Sequence, residues 1–99
     1  MKRIADLVDQ IDEEIEGAKH YAECYLDKKA RNDSQWATRF KEMSNDELKH
    51  CTWLHDLTVE EIELLGRVFT PTDEMQKVWD QSHKRYVEKV AWIKQMLAM

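Results

Sequence analysis

The sequence predicts an all-α protein, an antiparallel helical hairpin followed by a third helix. Three observations carry that prediction. Two glycines and one proline in 99 residues are too few to punctuate a sandwich or barrel, which needs a turn about every ten residues. Apolar residues recur at steps of three and four over long stretches, the period of a helix buried along one face. The breaks in that pattern are short, so consecutive helices should lie side by side and antiparallel.

The first helix is expected over about residues 2–31, where Ile4, Leu7, Ile11, Ala18, Tyr21 and Tyr25 follow the helical step. Asn32-Asp33-Ser34 is a polar triplet suited to ending one helix and capping the next. The second helix is expected over about 34–65, with Trp36, Phe40, Met43, Leu54 and Leu57 on its buried stripe and Gly66 as its C′ residue. The third, over about 71–97, opens on Thr70-Pro71-Thr72-Asp73. This segment places proline in the first helical position and makes an approximate T-x-x-D capping box. Trp79, Tyr86, Ile93 and Leu97 carry its stripe. At ~1.5 Å per residue the first two helices would each be roughly 40–48 Å long, which in so short a chain leaves apolar flank for a partner to cover.

Composition narrows the function. Hydrophobic residues at 42%, with four tryptophans, exclude a disordered tail, and the length allows a single domain over residues 1–99. The tryptophans are expected as core and interface anchors. No apolar run reaches the ~18 residues of a membrane span, and no signal segment opens the chain. A net charge of −5 argues against nucleic acid and anionic membrane as partners and favours cations. Cys24 and Cys51 form no CxxC, which excludes a zinc ribbon. They read as two reduced thiols at helix packing, and the expected setting is the cytoplasm.

Polar residues interrupt the stripes. Read strictly by three and four, the first helix runs Ile11, Glu14, Ala18, Tyr21, and the second runs Met43, Glu47, His50, Leu54. A carboxylate between large apolar neighbours is costly unless it is paired or bound to a cation. Counted from the turn near Asn32–Asp33, the three residues fall within about one helical turn of each other, ~5 Å. The i,i+3 spacing puts Glu47 and His50 on one face. A carboxylate facing a Glu-x-x-His pair is half of a dinuclear carboxylate site. Oxygen and imidazole donors suit iron or manganese, with zinc as a further candidate.

The other polar clusters read as less specific. Asp80-Gln81-Ser82-His83 has the right spacing, but it should align with about Leu54–Leu57 rather than with Glu47 and His50, and it is expected as a solvated or partner-facing pair. His50 and His55 are five apart, the wrong spacing for a helical histidine pair. His20 and Cys24 read as a surface histidine beside a half-buried thiol, and Glu60-Glu61-Ile62-Glu63 as a solvated face.

Glu14 followed seven residues later by Tyr21, together with Asp46-Glu47-Leu48-Lys49-His50, resembles the ferritin-like di-iron carboxylate family, in particular the motifs of bacterioferritins and rubrerythrins. In length the chain is most similar to the encapsulated ferritins, whose subunits supply two bundle helices each and build one di-iron site from two copies. The resemblance covers roughly residues 4–65. It implies a four-helix bundle completed by homodimerisation and a ferroxidase-type centre that oxidises Fe(II) for storage or detoxification. Its primary ligands and catalytic residues would be Glu14, Glu47 and His50. Glu13 and Glu16 would form an entry or secondary site, and Tyr21 would lie just behind the ligands. The chain departs from the family in lacking a second Glu and a second Glu-x-x-His, and His20 stands where encapsulated ferritins commonly have an aromatic. The chain ends on what reads as helix, without a tail carrying an encapsulin-targeting sequence. This speaks against packaging in an encapsulin shell through such a tail and leaves open packaging in another manner, inside a protein compartment in the cytoplasm. Two other readings fit the same residues: a metal that only pins the dimer, and a metal-free oligomerisation or adaptor module whose polar network sets register.

Overall fold

The computed structural model describes residues 2–99 and contains three helices, α1 (Lys2–Ala30), α2 (Ser34–Gly66) and α3 (Asp73–Ala98). These bounds lie within a residue or two of those read from the sequence. No strand occurs among the described residues.

The first turn is built by its polar triplet. Asn32 takes φ 60°, the left-handed conformation that asparagine tolerates better than most residues. With Asn32 in that conformation, its N–H donates to Lys29 O and the Asp33 N–H to Lys28 O, closing α1 in a Schellman motif. The Asp33 carboxylate then accepts from Trp36 N at 3.3 Å and caps α2.

The second turn differs from expectation at both ends. Gly66 is the last residue of α2 and not a left-handed cap, since no glycine has positive φ. The helix instead unwinds in a right-handed turn at Arg67, where Arg67 N and Val68 N donate three residues back to Leu64 O and Leu65 O. Pro71 lies before the helix. Thr72 is extended (ψ 159°), which stops helix geometry there and makes it the N-cap, accepting from Met75 N at 3.2 Å.

The Cα envelope measures 55 × 17 × 17 Å. An ion pair between Arg3 near the start of α1 and Glu61 near the end of α2 marks those helices as antiparallel. Asp12–Arg85 and Glu16–Lys89 mark α3 as parallel to α1. The third helix packs chiefly on α1 and stands farther from α2.

Ile11, Ile15, Ala18, Ala22 and Tyr25 of α1 meet Ala37, Leu48 and Cys51 of α2 and Ile93, Met96 and Leu97 of α3 in one core. Where α1 and α2 pass closest the residues are small. Ala18, Ala22, Ser44 and Cys51 are fully buried, and Ser44 Oγ donates to Ala18 O at 2.7 Å across the interface.

This packing corrects the expected stripe of α2. The inward face is Ala37, Ser44, Leu48, Cys51 and Thr58, while Trp36, Met43 and Leu57 are exposed. The tryptophans are not core residues of the single chain either, since Trp36, Trp53 and Trp92 are exposed and Trp79 is half-buried. Close helix approach selects side chains by size, and the bulky residues are left on the neighbouring flank.

Candidate metal centre

Glu14 projects from the middle of α1 on the side turned away from α3, beside α2. Glu47 and His50 project from the facing stretch of α2. Their ligand atoms lie within 4.8 Å of one another, and all three residues are half-buried. His50 Nδ1 stands 3.3 Å from Glu14 Oε2. No other group of three or more His, Cys, Asp or Glu residues converges this way among the described residues. The cluster sits at the edge of the hairpin and not on a fully covered seam. Ala18, Ser44 and Cys51 beneath it hold the two backbones close enough for opposed carboxylates to meet.

The electrostatics record that meeting. The Glu47 carboxyl is pushed from an ordinary 4.5 up to about 7, first by a hydrogen bond shared with Glu14, then by burial, then by the Glu14 charge, while His50 pulls the other way. Burial pushes the Cys51 thiol up to about 12, helped by the negative charges of Glu14 and Glu47. Cys51 is therefore a neutral packing group under the site. Two carboxylates that cannot both ionise comfortably, with an imidazole against them, fit a divalent cation in type and in charge. A cation would neutralise both oxygens and leave the imidazole lone pair as a third donor.

Tyr21 lines the same open recess as Glu47, His50, Met43 and Trp53, and its ring stacks on Phe40. Trp53 lies with its ring centre 5.7 Å from that of His50. The two acidic neighbours on α1 separate. Glu13 is exposed about 100° round the helix from Glu14. Glu16 faces α3, where the Lys89 ammonium 3.0 Å away holds its carboxyl below the usual range.

Sequence reasoning missed two features. Gly17 lies under Glu47, and a Cβ added there would stand 3.2 Å from Glu47 Oε2. A glycine inside a long helix costs about 1 kcal/mol against alanine, and that cost was the available signal for a close approach. His55 and His83 also meet across α2 and α3, with Nε2 and Nδ1 3.1 Å apart. The height alignment of His83 with Leu54–Leu57 foretold this level, but the pairing with His55 needed the helix faces. Asp80 bonds to Gln76 on its own helix.

A flank of large apolar side chains surrounds the candidate centre. Trp36, Met43, Trp53, Leu57 and Leu64 are all exposed along α2, on the side of the helix that carries His50. They extend along roughly 40 Å of helix. No helix among the described residues is long and apolar enough to cross a membrane. No family model matches the chain, and no curated protein or solved structure matches it either.

Proposed function

We propose that this chain is a ferritin-like di-iron carboxylate protein. Two copies meet along the flank that carries Glu14, Glu47 and His50 and oxidise Fe(II) to Fe(III) between them. The observation that carries this reading is the convergence of two carboxylates and an imidazole within 4.8 Å at the open edge of a helical hairpin. One chain supplies three ligands, too few to enclose a metal pair, and the apolar flank of α2 around them is what a second copy would cover.

Iron is the substrate in this reaction. Two Fe(II) ions each give one electron to dioxygen, which takes up two protons and leaves as hydrogen peroxide. The residues bind, neutralise and position. Glu14 and Glu47 offset the charge of the incoming cations, and binding displaces the proton that Glu47 otherwise shares with Glu14. His50 supplies a neutral nitrogen donor, its Nδ1 standing 3.3 Å from Glu14 Oε2. Tyr21, Met43 and Trp53 wall the recess, and a partner laid over them would exclude water.

The test is to purify the protein without chelator, measure metal per chain, then add Fe(II) in air and follow ferric absorbance. About one iron per chain with rapid oxidation, abolished in Glu47→Ala and His50→Ala, is expected. Tightly held metal without oxidation would reduce the site to a structural pin. An intact dimer that takes up no metal would overturn the reading.

A further inference from the structure

A second pair of potential donors lies outside the carboxylate cluster. His55 on α2 and His83 on α3 face each other with Nε2 and Nδ1 3.1 Å apart and ring centres 5.1 Å apart. His55 is held firmly. Its side chain is only 19% exposed, its ring stacks on Tyr86 at 4.8 Å, and Trp79 lies 5.9 Å away. On the far side of the ring, Asp56 Oδ1 stands 3.5 Å from Nδ1, at the outer limit of a hydrogen bond. With a proton on Nδ1 directed to Asp56, Nε2 is an acceptor, and the 3.1 Å contact is a hydrogen bond from His83 Nδ1–H. His83 is exposed.

We infer that His55 and His83 form a second metal site, a two-imidazole seat for a late divalent ion such as Zn(II), Ni(II) or Cu(II) that ties α3 to α2. The spacing supports it. With metal–nitrogen bonds of ~2.0–2.1 Å, two nitrogens sharing an ion stand about 2.9 Å apart at a right angle and about 3.3 Å apart at a tetrahedral angle. The observed 3.1 Å falls between these values, so an ion could take the place of the hydrogen-bonded proton with little change in the distance between the rings. Imidazole pairs select late, borderline ions over magnesium or calcium. The carboxylate behind the first histidine matches the way metal-bound imidazoles are oriented through their second nitrogen. Water completes the coordination on the exposed side of His83. The location gives the ion a task, because α3 packs chiefly on α1 and these aromatic side chains bridge its gap to α2.

The inference stands apart from the carboxylate cluster and is tested apart from it. Ni(II) is titrated calorimetrically into the wild-type chain and into His83→Gln, whose replaced side chain is exposed. The wild type should take up about one more Ni(II) per chain than the variant. Ni(II) should also raise the melting temperature of the wild type more than that of the variant. The same contrast should persist when Glu14→Gln and His50→Gln remove the first cluster. Equal stoichiometry and equal thermal shift in wild type and His83→Gln would overturn the proposal, whatever the carboxylate cluster does with iron.

Discussion

Glu47 lays its carboxylate over Gly17, so that a Cβ at residue 17 would stand 3.2 Å from Oε2. That contact is tight but falls on the far end of a flexible side chain. Gly17→Ala should therefore displace Glu47 without disturbing the helices. The fold should gain up to about 1 kcal/mol from helix propensity. Metal affinity should fall several-fold, since second contacts to a ligand typically matter at the level of 10–100-fold. Thermal melting in chelator, together with a metal titration, separates the two effects. A variant that both melts lower and binds metal normally would contradict this account.

The raised proton affinity of Glu47 makes the metal-free protein pH-sensitive in a defined direction. In the folded chain Glu47 holds its proton to about pH 7, against an ordinary value of 4.5. Between those values the folded state keeps a proton that the unfolded state has lost, so stability falls as pH rises across that window. Below 4.5 the contribution is fully present, and above about 7 it is gone. Glu47→Gln removes the titration. In chelator, its melting temperature relative to wild type should be higher at pH 8 than at pH 5. A difference that stays constant with pH would show that Glu47 titrates normally. In wild type, metal binding near pH 6 should release about one proton per site, measurable in buffers of different ionisation enthalpy.

Most of the fold was legible in the chain, because helix ends and periods are local properties. Asn32 and Asp33 act through their own turn, and their residue types announce them, whereas the cap of α3 falls on Thr72 and not on Thr70, two residues later than the T-x-x-D pattern indicates. The inward face of α2 was not legible. That helix carries two adjacent stripes, one large and apolar (Trp36, Met43, Leu57) and one small (Ala37, Ser44, Cys51). Hydrophobicity favours the first stripe, whereas close approach of α1 at Ala18 and Ala22 requires the second. The convergence of Glu14, Glu47 and His50 was foreseeable from their matched depth, yet their place at the hairpin edge followed only from which stripe turned inward. The His55–His83 contact depends on the rotation of α3, which no local signal encodes.

The small-residue crossing sets how near the two carboxylates come. Ser44→Ala removes a buried hydrogen bond to Ala18 O and should cost about 1 kcal/mol. Ile15→Ala, in the same core layer region and 1% exposed, should cost about 2–5 kcal/mol. Urea melts in chelator give both values. The informative comparison is Ser44→Leu, which must push α1 and α2 apart. It should weaken metal binding by more than its loss of stability alone implies, because Glu14 and Glu47 then separate. Affinity that follows stability across all three variants would mean that the crossing does not tune the site.

The apolar flank of α2 bears on assembly. Trp36 and Leu57 are exposed in the single chain at 49% and 45%, on the side that carries the candidate centre. Trp92 is equally exposed at 55% but stands on α3. If two copies meet through α2, Trp36→Ala and Leu57→Ala should each weaken the dimer, the tryptophan by about 2–4 kcal/mol in the manner of an interface anchor. The fold itself should change by no more than about 0.5 kcal/mol, since neither side chain is buried within the chain. Trp92→Ala is the matched control and should leave the dimer intact. Sedimentation velocity across a concentration series reads the association, and iron oxidation measured on the same samples reads the shared site. In this arrangement oxidation must fall with dimer population, because each chain holds only one Glu14, Glu47 and His50 set. Dissociated Trp36→Ala chains that oxidise iron as fast as wild type would show that one chain suffices. A dimer lost in Trp92→Ala and kept in Trp36→Ala would place the contact on α3.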